Sequence, residues 1–197
     1  MELKKLSIEA LSELTAQPDA QAAGGCICAM TGASAAALCA LAAGLAVAHG
    51  HADMQQIVEE ANAHRARLMD YMQYDSDAYS AYLKARRLPK GTERESHTEG
   101  ALRTAIEISL EIAEHILRVL DLLEQVLPYC PQSAMDDAVV AIMLGRAAAH
   151  GSLMNARTNA GLLPEEKRQG HFVQKMAQLY QRLDMHYARG KAGKAGY

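Results

Sequence analysis

Asp75 lies in an unusual place for a carboxylate. Apolar positions recur every three or four residues through Ile57, Ala61, Leu68, Tyr71 or Met72, Tyr79 and Tyr82, and continuing that stripe puts Asp75 on the buried side of a helix. Two readings follow. Either tyrosine hydroxyls hydrogen-bond the carboxylate as a structural feature, or it stands in a partly dry site with a raised proton affinity, ready to move protons. Asp77 falls off the stripe and reads as solvated or near a pocket rim. A second helix repeats the anomaly: Asp137, Ala141, Leu144, Ala148, Ser152, Asn155 and Asn159 share one face. Buried amides need partners, because one left unpaired costs about 1–3 kcal/mol. Those partners are backbone groups of a neighbouring helix, a subunit partner, or a ligand with donor and acceptor edges.

Lys84, Arg86, Arg87 and Lys90 cluster in "YLKARRLPKGTERE", either as a solvated helix end or as a receiver for an anionic substrate. Eight histidines are scattered, with no metal-ligand spacing even around His49 and His51, so no metal is expected. The four cysteines, Cys26, Cys28, Cys39 and Cys130, lack zinc spacing and read as free thiols in a reducing cytoplasm. A formal charge of −3 gives no overall nucleic-acid footprint.

Positioning these groups falls to helices, because strand signals are almost absent. Six are expected, at about 4–16, 26–49, 53–87, 93–127, 133–162 and 164–189. Breaks are expected at Gly24-Gly25, Gly50, Pro89-Lys90-Gly91 and Pro128 to Pro131. Asp53-x-x-Gln56, Thr92-x-x-Glu95 and Ser133-x-x-Asp136 read as side-chain caps, and Pro164 with Glu165 and Glu166 as a helix opening. The fold class is all-α, a single-domain bundle over residues 1–190 with a frayed tail at 191–197. Its second helix carries no charge and is long enough to span a bilayer. It is rich in alanine rather than leucine and has no aromatic belt or flanking basic cluster, and it lies behind acidic residues, which argues against a membrane span or signal peptide. Ala33, Ala37, Ala40 and Gly44 would let other helices approach closely, so it reads as the central helix of the bundle.

Three separated segments then resemble one family. "DSDAYSAYLKARRLPKGTERE" is similar to the Asp-x-x-Ala-Tyr/Phe and LPK-x-T-x-E-E segment of the formiminotransferase-cyclodeaminase C-terminal domain family, which includes stand-alone methenyltetrahydrofolate cyclohydrolases. "DDAVVAIMLGRAAAHGSLMNARTNAGLL" resembles the family's later helix, with Asp137, Asn155 and Asn159 on motif positions. The stretch around Gly24, Gly25 and Cys26 resembles its Gly-rich start, with Ala22-Ala23 and Cys26 departing from the Pro-Gly-Gly-Gly-Ser pattern and Ser109 standing where the family has a proline.

The resemblance implies a helical homodimer or higher homo-oligomer, with a folate site near the subunit interface, a tetrahydrofolate derivative as substrate and no cofactor. It implies Asp75 or Asp137 as the carboxylate that stabilises a cationic one-carbon unit and moves a proton, with Lys84 assisting. Gly24, Gly25, Cys26, Tyr79, Lys90, Asn155 and Asn159 would bind the substrate, Lys84 and Lys90 also being placed to hold its glutamate tail. The expected reaction is hydrolysis of methenyltetrahydrofolate to formyltetrahydrofolate. The alternatives are ammonia-releasing cyclisation of formiminotetrahydrofolate, or a folate-binding helical oligomer that has lost turnover through its altered Gly-rich loop.

Overall fold

The computed structural model describes residues 2–18, 22–165 and 170–192. Among these, helices α1 (Ile8–Thr15), α2 (Gly24–Ala48), α3 (Gln55–Arg87), α4 (Thr92–Val126), α5 (Met135–Gly161) and α6 (His171–Ala192) form the fold, with short 3-10 turns between several of them and no strand.

Alanine and glycine on α2 explain how the bundle closes. The helix packs against α3, α4 and α5, and buries Ala29, Gly32, Ala33, Ala36, Cys39 and Ala43. Large side chains come mainly from α4, whose Ile106, Leu110, Ile112, Ile116, Leu117 and Leu123 are all fully buried. The fit is tight: a Cβ placed on Gly32 would lie 2.5 Å from Ile116 Cγ1, and one on Gly145 of α5 would lie 2.8 Å from Leu120 Cδ2. Small residues on one helix thus accept large ones from the next, giving the dense interior that stabilises folded chains. By length and composition α2 could cross a membrane. In the structure three helices cover it, leaving an uncharged outer strip that includes Ser34, Ala37 and Leu41.

Several expected boundaries are corrected. The first helix divides into a 3-10 turn at Leu3–Lys5 and α1, which Ser7 caps by accepting the Ala10 amide at 3.1 Å. Asp53 and Ser133 do not act as caps, because 3-10 turns lead into α3 and α5 and bond the entering amides to backbone: Met54 to the His51 carbonyl at 3.0 Å, and Ala134 to that of Pro131 at 2.9 Å. Gly91, with φ of 152°, occupies the cap position of α4 in place of Thr92. The sixth helix starts at His171 rather than at Pro164, after a turn at Gly170 with φ of 88°. Glu166 lies outside the described residues, as do 193–197 of the expected tail, whose residues 191 and 192 are still helical.

Buried Phe172, Leu179 and Leu183 seat α6 on the bundle. Charged groups set its register: Lys175 reaches Glu111 and Glu114, while the buried His186 bridges Asp121 at 3.1 Å and Glu124 at 2.7 Å.

Candidate functional site

Helix α2 starts without a side-chain cap, since Ala23 stands at that position. Its first amides therefore need acceptors from elsewhere. Asp75 of α3 supplies one: its carboxylate accepts the Cys26 amide and lies so close that a Cβ on Gly25 would stand 2.1 Å from Oδ1 and 2.7 Å from Oδ2. Only a residue without a side chain leaves room for this approach. Burial disfavours the Asp75 anion more than the single amide favours it, and its pKa is pushed up to about 6.

The other face of this contact opens into a cleft of about 460 Å³. Asp75, Tyr79 and Tyr82 form one wall, since spacings of four and three residues keep them on one face of α3. Gly24 and Gly25 form the end wall, Leu102 and Ala105 of α4 the floor, and Asn155, Asn159 and Leu162 of α5 the facing wall. The Asn155 amide is directed at the start of α2, 3.5 Å from where a Cβ of Gly24 would be. Thr15 at the end of α1, with Gln17 and Pro18 just after it, completes the rim.

The polar face of α5 thereby divides in two. Ser152 has a backbone partner, donating to the Ser109 carbonyl at 2.7 Å, and Ser109 itself bonds back to Ala105 in the helix. One turn further on, the Asn155 and Asn159 amides face the cleft and have no protein hydrogen-bond partner among the described residues.

The structure does not bring every expected residue here. Asp137 occupies the first turn of α5, eighteen residues before Asn155 (155 − 137), hence roughly 27 Å away along the helix at 1.5 Å per residue. There it complements the positive end of the helix; burial raises the pKa of the nearby Cys130 thiol, and the Asp137 charge adds to that effect. Lys84 and Lys90 are exposed and do not line the cleft. Cys26 contributes its amide rather than its thiol, which faces the core with no exposure; burial and, secondarily, Asp75 raise its pKa to about 12. Apolar spacing alone assigns Tyr82 to the core and gives Leu102 and Ala105 no distinction from their neighbours. The 75, 79, 82 spacing is the signal that could have placed Tyr82 here. Among the described residues no three His, Cys, Asp or Glu side chains gather as metal ligands.

An all-helical bundle with a ligand-sized cleft, polar at one end and carrying a half-buried carboxylate there, is the class that fold and site define. The chain belongs to the formiminotransferase-cyclodeaminase family, whose model matches residues 7–178. A methenyltetrahydrofolate cyclohydrolase of Methylorubrum extorquens is 29% identical over 147 residues, covering 70% of this chain and 71% of that protein. The crystal structure of a formiminotetrahydrofolate cyclodeaminase from Thermotoga maritima shares the fold, with a TM-score of 0.88 over 97% of this chain and 96% of the other at 19% identity.

The raised pKa of Asp75 has a consequence for stability. Its native value of about 6 exceeds the ordinary 3.8, so the folded chain holds a proton that the unfolded chain releases between those pH values. Stability therefore falls as pH rises from about 4 to 6, by on the order of 3 kcal/mol, and the penalty persists above that window. Asp75→Asn removes the charge and is expected to raise the urea midpoint at pH 8 while giving no such gain at pH 4. Gly25→Ala is expected to lower stability by about 1–3 kcal/mol at both pH values, because the new methyl displaces the carboxyl. Urea titrations of both variants at the two pH values check the pair; an Asp75→Asn gain that is the same at pH 4 and pH 8 would contradict the assigned cause.

Proposed function

We propose that the chain is a methenyltetrahydrofolate cyclohydrolase that works without metal or cofactor in the cytoplasm. The observation that carries this reading is the Asp75 carboxylate, enclosed at the N-terminus of α2 and facing a cleft whose opposite wall offers two unpartnered amides. Family membership and the similarity to the Methylorubrum extorquens cyclohydrolase support the choice of reaction.

The chemistry follows from the substrate's charge. Methenyltetrahydrofolate carries a cationic amidinium carbon between two nitrogens, and a carboxylate beside it stabilises that cation. A group with a pKa near 6 is also suited to general base catalysis near neutrality. Asp75 takes a proton from water as its oxygen bonds to the amidinium carbon, giving a neutral tetrahedral adduct. It returns that proton to the departing nitrogen as the carbon–nitrogen bond breaks. The adduct's hydroxyl proton leaves to solvent as the formyl C=O forms, so that one substrate cation and one water give formyltetrahydrofolate and one proton. The Gly24 and Gly25 amides, left over from the helix start, are positioned to receive the oxygen being added. Asn155 and Asn159 match the donor and acceptor edges of a pterin.

Purified protein should accelerate the loss of methenyltetrahydrofolate's near-ultraviolet absorbance well above the uncatalysed rate, with kcat/KM declining below about pH 6. Asp75→Asn should lower kcat by about 10²–10⁴-fold, the usual range for a lost acid–base group. Asn155→Ala should act mainly on KM. Full turnover by a folded Asp75→Asn variant sinks the mechanism. No hydrolysis, with absorbance instead appearing from formiminotetrahydrofolate, replaces the reaction by the cyclodeaminase one. Binding without either turnover identifies a folate-binding oligomer.

The working unit in this reading is a homodimer joined through the outer strip of α2. Leu41 on that strip is 45% exposed, and beside it α5 exposes Val140 (45%) and Met143 (65%). An uncharged face of this kind is a liability in a monomer. Sedimentation equilibrium should give twice the chain mass for the wild type and the single-chain mass for Ala37→Arg; an unchanged dimer in the variant places the interface elsewhere.

A further inference from the structure

Past Leu102 and Leu162 the main cleft continues. Both residues also line an adjoining compartment of about 310 Å³, whose other walls include Arg86 of α3, Arg94 and Thr98 of α4, and Leu163 after α5. The sequence along each wall runs in step. On α3 the face reads Asp75, Tyr79, Tyr82, Arg86; eleven residues (86 − 75) make close to three turns, so the guanidinium stem falls nearly in line with the carboxylate, roughly 16 Å along the axis. On α4, which runs the other way, Ala105, Leu102, Thr98 and Arg94 follow in the same direction.

We propose that Arg86 and Arg94 form a tail site that binds the glutamate carboxylates of the folate substrate, an assignment that rests on the folate reading above. The order of chemistry along the groove matches the order along such a molecule. A carboxylate at one end suits the cationic one-carbon centre, two tyrosines and a leucine suit the aminobenzoyl ring, and two guanidiniums at the far end suit a terminal dianion. Among the described residues neither Arg86 nor Arg94 has an ion-pair partner. Two carboxylates share this lining: Glu99, which Arg103 engages at 3.0 Å from Nε and 2.9 Å from Nη2, and Glu95, which is exposed. The Thr98 hydroxyl, buried in the same wall, has no hydrogen-bond partner. Lys84 and Lys90, the cations that the sequence pattern favours for this task, line neither compartment. Lys84 misses for a geometric reason: nine residues from Asp75 (84 − 75) is two and a half turns, which puts it on the opposite side of α3.

The test compares two substrates, 5,10-methenyltetrahydrofolate and the tail-less 5,10-methenyltetrahydropteroate, in the wild type and in Arg86→Gln, Arg94→Gln and the double variant. Arg65→Gln, an exposed cation far along α3, controls for net charge. Wild-type kcat/KM should be about 10- to 100-fold higher with the tail, the range expected for hydrogen bonds to charged groups. The double variant should lose most of that preference through KM, and each single variant part of it, with Arg65→Gln unaffected. Retained preference in variants that fold by circular dichroism overturns the assignment, as does equal loss on both substrates. A wild type that turns over both substrates equally also overturns it while leaving the folate reading standing. If neither compound is turned over, equilibrium dialysis of the same pair decides: tail-dependent binding abolished by the variants supports the tail site without the hydrolysis, whereas binding of neither compound removes the folate reading itself.

Discussion

How closely other helices can approach α2 governs both the core and the site. The same absence of side-chain bulk that lets Ile116 press against Gly32 lets Asp75 press against Gly25, and Gly151 leaves room for Cys28, whose Sγ would lie 2.7 Å from a Cβ there. Burying small residues gives α2 little transfer energy of its own. Its gain is proximity, which allows the large aliphatic side chains of α4 to reach past it and fill the interior. Three helices pack on this uncharged helix, and half of its most apolar window is buried against them.

The site uses that proximity for electrostatics. A helix N-terminus carries a partial positive charge that alone would repel a cationic substrate. The Asp75 carboxylate, accepting the Cys26 amide, reverses the sign locally, and in the proposed reaction the neighbouring amides are left for an incoming oxygen. Enclosure then lifts its proton affinity into the range where it can both take and return a proton near neutrality. The stability penalty and the proposed catalytic competence are thus two results of the same desolvation, a trade-off common at functional sites. The thiols nearby undergo the opposite selection: burial keeps Cys26 and Cys28 protonated, with pKa values near 12 and 11, and so chemically quiet.

Much of this is legible in the sequence, for identifiable reasons. Helical periodicity locates all the long helices, and a carboxylate on an apolar stripe marks Asp75 by spacing alone. Periodicity says which face a residue occupies, though not where along the helix a cleft opens. Asp137, Ser152 and Asn155 share a face, yet one is at the helix start, one meets the Ser109 carbonyl, and one faces the cleft. Charge clustering has the same weakness, gathering Lys84, Arg86, Arg87 and Lys90 together when the rotation of α3 brings only Arg86 of these to the groove. Cap motifs fail where 3-10 turns have already bonded the amides they would serve. The Cys26 position is legible, but its contribution through backbone is not, because a side-chain pattern carries no signal for an amide.

Protonation of Asp75 inside the assembled site is the step on which the proposed catalysis most directly depends. Carbon-13 labelling of aspartate carboxyls, with the Asp75 resonance assigned by its absence in Asp75→Asn, would follow that group through a pH titration. A midpoint near 6 is predicted from its enclosure against α2. A midpoint near the ordinary 3.8 would mean that water reaches the carboxyl freely, and the proposed proton-transfer role would lose its physical basis.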